Sequence, residues 1–165
     1  MTAHAPAQPP YSADLFVDEN TPAGHETPLV EALTSLGFAV RARAVPTRRP
    51  IEQLAWIMLI ALPLQAFLSA LGSKAAEDTH RVLRDAIAKV ARRESGTSDP
   101  SPDRAGTVVL QDPATGLQII LGPHLDEDAY RKLRALDLSQ YTHGPVRYDT
   151  VEGRWLSDVD EAMAR

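Results

Sequence analysis

Among the 165 residues there is no cysteine. Disulfide bridges, thiolate metal ligands and a cysteine nucleophile are excluded together, and the composition suits a reducing compartment such as the cytoplasm. Aromatic residues make up only 5% of the chain, so Leu, Val, Ile and Ala must fill whatever core it builds. Positive charge is in deficit as well. A net charge of −5 and a pI near 5.5 argue against nucleic acid as a partner, which calls for a basic domain. The opening MTAHAPAQPPYS has neither the basic region nor the apolar core of a secretory signal, and residues 1–10 read as a disordered Pro/Ala lead. No Gly-rich phosphate loop, metal-ligand box or nucleophile motif is present, so no cofactor is expected and the balance leans away from an enzyme.

What the chain does have is one long run without a formal charge. Leu54–Leu71, LAWIMLIALPLQAFLSAL, is eighteen residues long. As a helix it would span about 27 Å, against a bilayer hydrocarbon core of about 30 Å. Length alone therefore admits a membrane contact, with Trp56 placed near one interface and Arg48 and Arg49 just before it. Pro63, Gln65 and Ser69 weaken that reading. So does topology: a crossing would leave a minimal sheet with bare edges on each side. The soluble explanation is a helix over 51–71, kinked at Pro63 and wrapped by the rest of the fold.

Around that run the chain alternates between strand and helix signals. Tyr11–Asp18 puts Tyr11, Ala13, Leu15 and Val17 on one side, the period of a strand. Thr27-Pro28 opens a short helix that Gly37 stops, and Phe38–Val45 alternates again, which together suggest a β-α-β unit. Residues 74–93 form an amphipathic helix, with Ala75, Thr79, Val82, Leu83, Ala86, Ile87 and Val90 on its apolar face. The polar stretch 94–105 reads as a flexible connector. Beyond it, 107–111 and 117–121 flank the turn DPATG, a helix starts at Asp126-Glu127-Asp128, and 146–149 and 154–156 form a last hairpin. The expected fold is therefore a single α+β domain over 11–165. Its mixed sheet, a βαβ unit plus two hairpins, is packed against a long apolar helix and an amphipathic helix.

Candidate chemistry is thin. His124, Asp126 and Asp128 could offer a nitrogen and two carboxylates to a metal, but acids in a first turn more commonly cap a helix. His143, Tyr148 and Asp149 could do acid–base work if they converged in a cleft. Asp112 reads as a turn former, and Tyr148 with Trp155 as a cross-strand aromatic pair. Arg41, Arg43, Arg48 and Arg49 could form a basic patch beside the apolar run. The expected function is a non-enzymatic protein-interaction or self-association module built around 51–71. Trp56, Leu59, Leu62, Phe67, Arg48 and Arg49 are its candidate contacts, and a membrane-associated protein using 54–71 is the alternative.

Overall fold

A computed structural model describes residues 11–19, 21–46, 58–73, 77–94 and 107–165. It contains a mixed seven-stranded sheet and five helices, an α+β fold. The chain order is β1 (Tyr11–Asp18), α1 (Thr27–Ser35), β2 (Phe38–Val45), β3 (Met58–Ala61), α2 (Leu64–Gly72) and α3 (Glu77–Glu94). It continues with β4 (Val108–Gln111), β5 (Gln118–Leu121), α4 (Glu127–Arg134), β6 (Val146–Asp149), β7 (Arg154–Ser157) and α5 (Asp158–Met163).

The strands lie in the order β2-β1-β3-β4-β5-β6-β7. β1 pairs parallel with β2 across the α1 crossover and antiparallel with β3. β3 runs parallel to β4, and β4-β5 and β6-β7 are antiparallel hairpins. The two hairpins meet through the parallel pair Ile119↔Val146. Gly144 makes that meeting possible: a Cβ there would lie 2.9 Å from the Gln118 backbone nitrogen, too close for any side chain.

The expected helix over 51–71 is not one element. Residues 51–57 lie outside the described part. From Met58 the run divides into strand β3, a two-residue bend at Leu62-Pro63, and the short helix α2. A short apolar run looks the same whether it is a buried strand or a buried helix, because period gives no signal when every position is apolar. Pro63 decides the break. It stands at the N-cap of α2 with an extended ψ of 110°, where its missing N–H costs nothing. The Leu62 N–H is held by the Gln111 carbonyl at 3.0 Å, continuing the β3-β4 pairing by one residue. Among the described residues, no helix is long and apolar enough to cross a membrane.

The core lies on one face of the sheet. Ala13, Leu15, Met58, Ile60, Val108, Leu110, Ile119, Leu121, Val146 and Trp155 point into it from alternate strand positions. Helix α1 adds Leu29, Ala32 and Leu33, α2 adds Leu64, Phe67, Leu68 and Leu71, and α4 adds Ala129, Tyr130 and Leu133. Helix α3 contributes Leu83, Ala86, Ile87 and Val90, whereas Val82, which the sequence pattern places on the same face, is exposed at the edge of that stripe. All of these belong to a single cluster.

Candidate interaction surface

Strand alternation sends the other half of each strand to the opposite face, and the pairing registers line those residues up. Phe16 pairs with Leu59, Leu59 with Val109, and Val109 with Ile120. One step along from Ile119↔Val146 brings Ile120 beside Arg147, which pairs with Leu156. At the other end Phe16 pairs with Arg43 of β2. A single row, Arg43–Phe16–Leu59–Val109–Ile120–Arg147–Leu156, therefore crosses all seven strands.

Its apolar members do not belong to the core cluster, although Val109 and Leu156 are only 7% and 4% exposed. Phe16, Leu59 and Ile120 are partly exposed. Every buried side chain of α1, α2 and α4 joins the first face instead. Four apolar residues on four adjacent strands thus form a stripe, half-buried at Phe16, Leu59 and Ile120 and buried at Val109, to which α1, α2 and α4 give no buried side chain. The next row, Asp14–Ala61–Gln111–Gln118, is mostly polar and borders it.

Charge is arranged at the two ends of the row. At the β2 end, Arg41 and Arg43 are exposed and Arg43 holds a loose ion pair with Asp14 at 3.4 Å. At the β7 end, Arg147 pairs with Asp158 at 2.8 Å, and Arg154 bridges Glu152 at 2.5 Å and Glu161 at 2.6 Å. The first group sums to +1 and the second to −1, taking each named side chain at its charge near neutral pH.

The six residues singled out in the sequence separate. Trp56, Arg48 and Arg49 lie outside the described residues. Leu62 and Phe67 are fully enclosed in the core. Leu59 sits near the middle of the second-face row. Sequence reasoning missed Phe16, Val109, Ile120 and Leu156. Each sits in a strand whose other face also carries apolar residues, and only the register shows that they align.

The polar candidates are engaged in holding the fold together. Asp126 N-caps α4, accepting from Ala129 N–H at 2.8 Å. Asp128 binds Lys132 at 2.7 Å and Arg131 at 3.1 Å and accepts from the Tyr148 hydroxyl at 3.2 Å. The hydrogen bond from Lys132, aided by Tyr148 and both cations, holds the Asp128 carboxyl below the usual carboxylate range. Lys132 also donates to the Gly153 carbonyl, tying α4 to the β6-β7 turn. His143 is not beside Asp149. Its Nδ1 lies 3.0 Å from Asp160, whose carboxylate also accepts the Thr142 and His143 N–H groups. Ser157 donates to the His143 carbonyl rather than to its ring, so these three residues form no relay. Asp149 accepts from Val151 and Glu152 N–H and shapes the hairpin turn. Tyr148 and Trp155 stack with centroids 5.5 Å apart, as their cross-strand placement suggests. Among the described residues no group of His, Asp and Glu has the arrangement of a metal site.

No known protein family matches the chain, and neither a curated protein nor a solved structure is detectably similar to it.

Proposed function

We propose that this chain is a non-enzymatic protein-interaction module, acting in a reducing compartment, whose contact surface is the second face of its sheet. The observation that carries this reading is the apolar row Phe16–Leu59–Val109–Ile120, which crosses four adjacent strands away from the helix-packed core. A sheet packed on one side only is stable when the other face is polar; an apolar stripe across it favours a covering polypeptide. The titratable side chains support the same reading from the other direction. Asp112, Asp126, Asp137, Asp149 and Asp160 all accept from backbone N–H groups, which uses them for structure.

Hydroxyl-radical footprinting tests this. In dilute purified protein, Phe16, Leu59 and Ile120 should be oxidised far faster than their strand neighbours Leu15, Ile60 and Ile119. In concentrated extract of the native cells the first three should become protected. Equal oxidation of Phe16 and Ile120 in both conditions would remove the contact surface from the account.

A further inference from the structure

The two edges of the sheet are finished differently. β7 is four residues long and leads directly into α5. Its Arg154 is tied to Glu161, and its Trp155 carbonyl accepts from the Tyr141 hydroxyl at 3.0 Å. A short, anchored edge strand of this kind resists pairing with another chain. β2, at the other end, is eight residues long and pairs only with β1 among the described residues. Arg41, Ala42, Arg43 and Ala44 are all exposed, residues of both faces alike, so this edge lies open to solvent.

One bond fixes which backbone groups the open edge offers. The Val45 carbonyl accepts from Glu19 N–H at 3.2 Å and so points at β1. Along a paired strand, the N–H and C=O of one residue aim at the neighbour and those of the next residue aim away. Ala39, Arg41 and Arg43 therefore face β1 together with Val45, while the N–H and C=O groups of Val40, Ala42 and Ala44 point outward. Among the described residues none of these outward groups has a partner. We infer that β2 receives an added strand: an extended, proline-free segment of a partner protein, with acidic residues at alternate positions, that continues the sheet beyond β2. This goes beyond the second-face reading, because it uses the backbone of an edge and stands whether or not the sheet face is covered.

Charge chooses the occupant. An added strand lies about 4.8 Å from β2 and about twice that from β1. Every second residue of it stands beside Arg41 and Arg43. β1 carries Asp14 and Asp18 at the positions opposite Arg41 and Val45, with Glu19 just beyond, so these positions lie one strand further from the newcomer. Arg43 holds Asp14 at 3.4 Å, whereas Arg41 has no ion-pair partner among the described residues. Opposite charges facing each other across adjacent strands are favourable and like charges are not. An acid-x-acid pattern therefore suits this edge. The same arginines bar a second copy, because pairing β2 antiparallel with itself over most of its length sets arginine opposite arginine.

Amide-resolved NMR of the purified full chain reads this directly. In the chain alone, hydrogen exchange should be fast at Val40, Ala42 and Ala44 and slow at Arg41, Arg43 and Val45. The probe is a synthetic peptide of about ten alternating valines and glutamates, added up to about 1 mM. It should shift and protect the outward amides, and its valine-lysine counterpart should bind at least about tenfold more weakly at low salt. Arg41→Glu/Arg43→Glu should reverse that preference. Ala42→Pro removes an outward N–H at a place where an edge strand tolerates proline, and should abolish binding with near-ultraviolet circular dichroism intact. The arginine variant alters exposed side chains and keeps the test open if Ala42→Pro does not fold. Slow exchange at Val40, Ala42 and Ala44 in the chain alone means the edge is already covered, and overturns the inference. So does failure of the glutamate peptide to bind, or equal binding of the two peptides. Peptide-induced shifts at Leu59, Val109 and Ile120 with the β2 amides unmoved overturn the edge and leave the second-face reading standing.

Discussion

Asp112 joins two elements that the sequence separates by 48 positions, and removing its carboxylate should loosen both. One oxygen accepts from Ala114 N–H at 2.8 Å and Thr115 N–H at 3.3 Å, forming the turn between β4 and β5. The other accepts from Leu64 N–H at 3.2 Å. That N–H opens α2, whose own N-cap, Pro63, offers no side-chain acceptor. Asp112 is thus a cap supplied from another strand, at the helix end where a negative group is favoured. Losing a cap costs about 1 kcal/mol, and losing two turn hydrogen bonds costs about 1 kcal/mol more. Asp112→Ala should therefore lower stability by about 2 kcal/mol, a fall in Tm of about 4–8 °C for a chain of this size. Asp112→Asn separates the two contributions, because its carbonyl oxygen can still accept in the turn while its amide has no acceptor to offer Leu64. It should lose about half as much, roughly 1 kcal/mol. Urea titration followed by circular dichroism measures both variants. A change below about 0.3 kcal/mol in Asp112→Ala, or equal losses in the two variants, would refute the shared cap.

The Tyr130 hydroxyl is buried without a hydrogen-bond partner among the described residues, and burial pushes its pKa well up. Tyr130→Phe should therefore be neutral or stabilise by about 1 kcal/mol in denaturant titration, whereas a loss of more than about 1 kcal/mol would reveal a partner. Adjacent residues of β3 should behave as opposites: Ile60→Asp buries an unpaired charge and should unfold the domain, while Leu59→Asp, at a half-buried position, should fold. Equal loss of near-ultraviolet circular dichroism in the two would contradict the two-faced strand. Acid should destabilise the fold below about pH 4. Hydrogen bonds from the N–H groups of Glu152 and Val151 hold Asp149 below the usual carboxylate pKa, and Lys132 does the same for Asp128. Depressed folded-state values mean this stability is present above the unfolded pKa of about 3.9 and is lost as pH falls through the folded values. Asp149→Asn should flatten the stability-against-pH curve below about pH 4, and an unchanged slope would exclude Asp149 from it.

Legibility in the sequence followed the strength of local pattern. Residues 11–18 and 38–45 alternate and are strands β1 and β2 as read. Thr27-Pro28 and Gly37 bound α1, with the N-cap one residue earlier, at Glu26. The DPATG turn, the acidic start of α4 and the Tyr148–Trp155 pair all follow from local chemistry. The uncharged run misled because uniform apolarity carries no period, so β3 and α2 fused into one expected helix. The sequence pattern assigns no element after residue 156, yet Ser157 accepts from Asp160 N–H as an N-cap and α5 forms. Contacts between distant segments stayed hidden altogether. Nothing near Leu64 announces Asp112, nothing near His143 announces Asp160, and the alignment of Phe16 with Ile120 exists only in the register of β1, β3, β4 and β5.

Methyl-resolved NMR of the labelled chain, alone and in concentrated extract of the native cells, tests the contact surface most directly. A partner on the second face predicts extract-dependent shifts at Leu59, Val109 and Ile120, with their strand neighbours Ile60, Val108, Leu110 and Ile119 unmoved, a strict alternation along each strand. Shifts confined to helix methyls such as Val82, or spectra identical with and without extract, would contradict it.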